Sequence, residues 1–209
     1  MFVSEAFRIP ESRPRLSPPA VLSLAFDRVQ LADQLLLAVD ALPVLSDGPD
    51  ETVTRTAGSV GVDACDVVVL KIRSRLRGFT LVLATSQAWD LRKPALCALK
   101  HASRLQGRRV ILVPAGRLRR PDFLSNCAML SLSKRMAVSA TERMAVLEYV
   151  ALDPNASLRD CAQTIPEAAD PIGVVMCMVA QGLLRIDLGR RITSDAKVLP
   201  ARSASLATP

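Results

Sequence analysis

Cys97 and His101 stand one helical turn apart, the spacing of a thiol and a base. Such a pair acts as an activated nucleophile when an acid orients the imidazole. No orienting acid is evident around this one. His101, the only histidine in the chain, falls about 80° from a stripe of cations on the same helical stretch. It reads as a solvated surface residue. Asp66 opens an apolar run and reads as a polar strand start rather than a metal ligand. The five cysteines (Cys65, Cys97, Cys127, Cys161, Cys177) are odd in number, widely spaced and never in a CxxC pair. That pattern argues against a zinc site and for reduced thiols in a cytoplasmic protein. Neither G-x-x-x-x-G-K-[ST] nor G-x-G-x-x-G occurs, so no nucleotide chemistry has a motif behind it and no cofactor is expected. Trp89 and Tyr149 read as core-edge residues in a chain with too few aromatics to stack unpaired bases.

The remaining chemistry is positive charge, and it is concentrated. The net charge is +7, but residues 1–58 carry −3, residues 59–138 carry +11 and residues 139–209 carry −1. A charge that served only solubility would be spread more evenly, so the middle third is read as facing a polyanion. Its cations fall in three concentrations. Lys71, Arg73, Arg75 and Arg77 flank a turn; Lys93, Lys100 and Arg104 share a helix face; Arg108, Arg109, Arg117, Arg119 and Arg120 follow. If the turn and the last group lie at one sheet edge, they form a continuous track for the phosphates of duplex DNA.

The elements that must position these residues centre on Gly78–Gly116. Phe79–Ala84 is a short apolar run that suits a buried strand. Pro94 and Gly107 bracket a helix whose face of Ala95, Ala98, Leu99, Ala102 and Leu105, with Leu96 at its edge, is expected to meet the sheet. Arg109–Val113 is a second strand, which completes a βαβ crossover. Upstream, residues 20–42 read as helix, two of them meeting near Asp33, and Glu51–Thr56 alternates as an edge strand does. Asp66–Ile72 is a further strand, joined to Phe79 by the basic turn Arg73–Gly78.

Beyond a basic connector at 117–138, three helix starts are written in capping residues. Ser139 with Glu142 and Ser157 with Asp160 have capping-box spacing, and Asp170 precedes Pro171 as a cap precedes a first-turn proline. Leu183–Asp187 and Arg191–Thr193 are expected to close a small hairpin about Leu188–Arg190. Three helices followed by a hairpin is the order of a winged helix-turn-helix. Its third helix, PIGVVMCMVAQG, carries no Arg, Lys or Asn to reach base edges. That helix reads as a core or contact element, with Pro171–Leu183 expected to make a dimer or to dock a partner. Arg190 and Arg191 on the hairpin are placed for phosphate.

An α/β domain with a P-D element on one strand and E-x-K on the next resembles the PD-(D/E)XK nuclease fold. Joined to a C-terminal winged helix, it is similar to TnsA-type transposon-end endonucleases. The resemblance implies two carboxylates holding a divalent ion that activates water, and a lysine that stabilises the transition state. Here Cys65-Asp66 stands where P-D would be and Ala84-Thr85-Ser86 where E-x-K would be, so the second carboxylate and the lysine are missing. The expected organisation is an arm (1–17), a nuclease-like α/β domain (18–116), the connector (117–138), an all-α winged-helix domain (139–199) and a disordered tail (200–209). The expected function is non-catalytic DNA binding in recombination, transposition or gene regulation. The alternatives are a protein interaction module without nucleic-acid binding and a nuclease with a rearranged site. No run reaches membrane-spanning length, and the first fifteen residues lack the apolar centre of a secretory signal.

Overall fold

The structure, a computed structural model, describes residues 18–74 and 77–201. The arm at 1–17, Arg75 and residues 202–209 lie outside them. The chain is mixed α/β, and its sheet is built by strands of the kind the apolar runs predict. β2 (Val67–Arg73) and β3 (Gly78–Ala84) form an antiparallel hairpin, and β3 pairs in parallel with β4 (Val110–Pro114). The parallel step is bridged by α3 (Ser86–Leu91) and α4 (Lys93–Leu105), the crossover that a parallel pair requires. A two-residue strand, β1 (Leu45–Ser46), adds to the outer side of β2, giving the order β1-β2-β3-β4.

Alternation along the strands sends side chains into two different cores. Val67, Val82, Ala84 and Val110 meet Leu96 and Leu99 of α4 and Val53 and Ala57 of α2 (Glu51–Ser59) on one face. Leu70, Ile72 and Leu83 meet Leu31, Leu35 and Val39 of α1 (Pro18–Ala41), with Ala115 and Leu118 of α5 (Ala115–Leu118), on the other.

Three local expectations are corrected. Glu51–Thr56 is not an edge strand but the start of α2, because Asp50 caps it, its carboxylate accepting from the Val53 amide at 3.2 Å. The buried residues Val53, Thr56 and Ala57 recur at helical spacing. The stretch read as two helices over 20–42 is a single one, Pro18–Ala41, of 24 residues, since nothing at Asp33 interrupts the ladder. On α4 the buried stripe is Leu96, Leu99 and Ser103, while Leu105 is 77 % exposed and Ala98 is also open to solvent. The buried face is centred near Leu99, with Leu96 at its edge, and this rotation leaves Ala98 and Leu105 on the open side of the helix.

Residues 117–138, read as a connector, hold α5 and then α6 (Pro121–Ser133), which packs against α1. After it come α7 (Ala140–Leu152), α8 (Leu158–Gln163) and α9 (Pro171–Ala180). Both capping boxes form with both of their reciprocal bonds, and Asp170 caps α9 through the Gly173 amide at 2.9 Å. The return strand differs from expectation. β5 (Leu184–Arg185) pairs not with 191–193 but with β6 (Leu199–Pro200), so residues 186–198 form a long loop, and the stretch expected as a tail begins inside a strand. Ser157 adds an antiparallel bridge to Lys197.

α9 is the core of this second unit. Every residue from Gly173 to Ala180 is buried, covered by α6, α7 and α8. The expectation that Pro171–Leu183 offers an apolar surface to a partner is therefore corrected, because the covering surface comes from α6 of the same chain. α1 joins the two units, with Leu31 and Leu35 on the sheet and Ala38 and Ala41 in the core around α9. Gly182, at φ +73°, packs its Cα against Pro43 just after α1, where a Cβ would come within 2.8 Å of the proline ring.

Candidate nucleic-acid interface

Strand direction decides where the cations go. Lys71 is the register partner of Thr80, and the Thr80 amide donates to the Arg109 carbonyl at 2.8 Å. The β2–β3 turn, the end of α4 and the beginning of β4 therefore lie at one end of the sheet. Lys71, Arg73, Arg77, Arg104, Arg108 and Arg109 gather there, joined by Ser74, whose amide donates to the Arg77 carbonyl at 2.9 Å and closes the turn. Arg117, Arg119 and Arg120 follow the other end of β4, and Lys93 opens α4 at that same far end. The five residues of β4, about 15 Å, separate the two groups. A single track from turn to connector is thus corrected to two clusters at opposite ends, with Lys100 exposed on α4 between them.

The clusters differ in how many cations are committed. At the turn end Arg73 meets Asp47 at 3.3 Å and Arg108 meets Asp50 at 3.8 Å. Lys71, Arg77, Arg104 and Arg109 are exposed and have no carboxylate partner among the described residues. At the far end Arg119 pairs with Asp27 of α1 at 3.4 Å, while Lys93, Arg117 and Arg120 are exposed without such a partner among the described residues. Of these, Arg73–Asp47 and Arg119–Asp27 are open to water on both sides, and such pairs add little to stability.

Asp50 anchors the turn end from within. Its carboxylate, 5 % exposed, accepts from the Val53 amide and from the Thr80 hydroxyl at 2.6 Å. Burial alone raises the pKa of this acid. The hydrogen bonds from Thr80 and the α2 amides, with Arg108 nearby, outweigh that and hold it below the ordinary value. Charge counting missed this residue; the signal was an Asx three positions before a buried valine.

Asp66 lies at the far end. Its backbone carbonyl accepts from the Thr85 amide at 2.9 Å, and its buried carboxylate lies 3.0 Å from Nη1 of Arg92. The same nitrogen donates to Asp63 at 2.8 Å and to the Gly61 carbonyl at 3.0 Å. The hydrogen bond to Asp63 raises the pKa of the guanidinium by more than burial lowers it. Two carboxylates thus converge, but on a guanidinium. Among the described residues no group of three or more His, Cys, Asp or Glu is arranged to hold a metal ion. With Ala84 and Ser86 supplying neither carboxylate nor amine, these residues do not fit the divalent ion that the nuclease resemblance implies. Cys97 and His101 are both exposed on α4.

Arg190 and Arg191 ride on the 186–198 loop, and both are exposed. Asn126 of α6, 2 % exposed, shapes that loop. Its Nδ2 donates to the carbonyls of Leu188 at 3.1 Å and Arg190 at 2.7 Å, and its Oδ1 accepts from the Ile192 amide at 3.4 Å. No charge or motif in the sequence points to Asn126, because its partners lie more than sixty positions away.

No protein-family model matches this chain, and no curated protein matches it. The geometry of its cations therefore stands as the ground for a functional reading. Among the described residues no helix is long and apolar enough to cross a membrane.

Proposed function

We propose that this chain is a non-catalytic DNA-binding protein that holds duplex DNA by its phosphates, in recombination, transposition or gene regulation. The observation that carries the reading is the turn end of the sheet, where Lys71, Arg77, Arg104 and Arg109 lie exposed and unpaired among the described residues. Four cations brought to one place from a hairpin, a helix end and a strand start make a local positive field that a dispersed charge does not.

The order α7, bridge residue Ser157, α8, α9, β5, loop, β6 supports a winged helix, with Arg190 and Arg191 on the wing. Its third helix is enclosed, so the reading excludes base contacts from α9 and leaves the wing to touch the backbone. The sheet unit is read as a degenerate relative of TnsA-type PD-(D/E)XK nucleases. In it Arg92 neutralises the carboxylates that would otherwise attract a metal.

Fluorescence anisotropy on a labelled duplex, titrated at several salt concentrations, tests this. Four phosphate contacts give a slope of log affinity against log salt of roughly −3.6. Replacing Lys71, Arg77, Arg104 and Arg109 together by Ala removes most of that slope and weakens all sequences alike. The pair Arg117→Ala and Arg120→Ala leaves the slope nearly intact. Absent or salt-insensitive binding at low ionic strength overturns the reading.

A further inference from the structure

A further gathering of cations lies where the sheet meets the helices around α9. A cleft of about 530 Å³ opens between the end of β2, the stretch after α1, the end of α6, the start of α7 and the residues that follow α9. Its size is that of a small-molecule site. Pro43, Val44, Leu45 and Leu183 give it apolar walls, and Leu45 is 62 % exposed. Three cations, Arg73, Lys134 and Arg143, line it, and no carboxylate among the described residues does.

The three are not equally committed. Arg73 meets Asp47 at 3.3 Å, and Lys134 donates to the Asp40 carbonyl at 2.6 Å with the Asp40 carboxylate at 3.9 Å. Arg143 has no counter-ion. Among the described residues its side chain makes neither a hydrogen bond nor an ion pair, and its Nε is closed off from water. Its neighbour Glu142 is turned back onto the Ser139 amide at 2.7 Å. Arg143 is half-buried, in the first turn of α7, where the helix dipole favours an anion over a cation. A charge drawn partly out of water without a partner is costly.

We propose that this cleft binds a small organic anion, its carboxylate or phosphate head at Arg143 and its apolar body along Val44, Leu45 and Leu183. The N–H groups of a guanidinium match two oxygens of such a head. Arg73 and Lys134, each held by one residue only, keep further N–H groups for it. The apolar walls favour a ligand with a hydrocarbon part over a bare ion. The proposal goes beyond DNA binding and is independent of it, since none of Lys71, Arg77, Arg104 and Arg109 lines the cleft.

Proton–nitrogen NMR spectra of the full chain, titrated with hexyl phosphate, hexanoate, inorganic phosphate and hexanol, test it. Hexyl phosphate and hexanoate are expected to shift the Arg143 Nε–Hε signal and the amides of Ser74 and Leu183. Both bind at least about tenfold more tightly than inorganic phosphate, which lacks the body, and hexanol, which lacks the charged head. Arg143→Met removes the charge at similar length. It weakens both anions by at least about tenfold without lowering the melting temperature of the ligand-free protein. Leu45→Glu, at an exposed position, adds a carboxylate to the cleft and gives the same loss. Arg159→Gln, outside the cleft, changes neither affinity. Hexanol binding as tightly as hexyl phosphate, no shift from either anion at millimolar concentration, or binding untouched by Arg143→Met and Leu45→Glu overturns the proposal. Shifts at these residues from duplex DNA alone assign the cleft to the DNA backbone and also overturn it.

Discussion

α4 and α9 begin alike and end up in opposite surroundings. Both carry proline in the first turn and run ten to thirteen residues. α4 buries Leu96, Leu99 and Ser103 and leaves the rest of its surface to cations and solvent; α9 buries eight consecutive residues. The difference lies in what covers them. α4 lies on one face of a sheet, which takes one stripe. α9 is wrapped by α6, α7 and α8, which take every side. A helix without a polar face thus says that it is surrounded, and says nothing about whether the cover comes from its own chain.

The largest effect that divides the two helices is that of a buried charge. Val175→Glu, at a position with no exposure, is expected to cost at least about 4 kcal/mol, whereas Ala98→Glu on the open side of α4 stays within about 0.5 kcal/mol. Urea denaturation of the two variants measures the contrast. A monomeric, fully stable Val175→Glu protein would mean that α9 has an open side after all.

Thiol chemistry sharpens the same comparison without changing the core. Cys97 on α4 and Cys65 are exposed; Cys127, Cys161 and Cys177 are buried. Burial pushes the Cys127 thiol up to about 11, and does the same to Cys161 with nearby Asp160 adding to it. Cys177 on α9 is raised for the same reason, against the opposing pull of Arg143 and Gln181. With an aromatic disulfide reagent at neutral pH, two thiols are expected to react at once. The other three should react about a thousandfold more slowly, at the rate of local or global opening. Five fast thiols would break the contrast.

The smallest difference concerns how the helices start. α9 is capped by the Asp170 side chain, and α4 has no side-chain cap. Asp170→Ala is expected to lower stability by about 1 kcal/mol, read as a shift in denaturation midpoint at unchanged slope.

What the sequence disclosed follows the range of the interactions involved. The capping boxes at Ser139 and Ser157 and the Asp170 cap are contacts across three residues, and all three are visible as spacing. β2 and β3 show as apolar runs because helices cover both faces of the sheet there, and β4 reads the same way although its Ile111 stays 41 % exposed. α2 was obscured because four of its first six residues, Thr52, Val53, Thr54 and Thr56, are β-branched. Burial of Val53 and Ala57 against α4 overrides that propensity. The long loop before β6 was hidden because Asn126 holds it from a distant helix. The cations of the site were legible one by one. Their division into two ends, and the pairing of Arg73, Arg108 and Arg119 with Asp47, Asp50 and Asp27, depend on strand direction and on tertiary neighbours.

The grip of Asn126 on the 188–192 loop has a practical side for anyone dividing this chain for expression. A fragment cut at Ser139 keeps all three capped helices and both short strands. It leaves behind the amide that shapes the arginine loop and the α6 surface that seals α9. Such a fragment is expected to be soluble only as aggregates or with a detergent-like partner. One beginning at Pro121 regains the clamp, and one that also retains α1 regains the alanines that close the core. The natural unit of autonomy at this end of the molecule is therefore discontinuous, taking its first helix from residues 18–41 and the remainder from residue 121 onward.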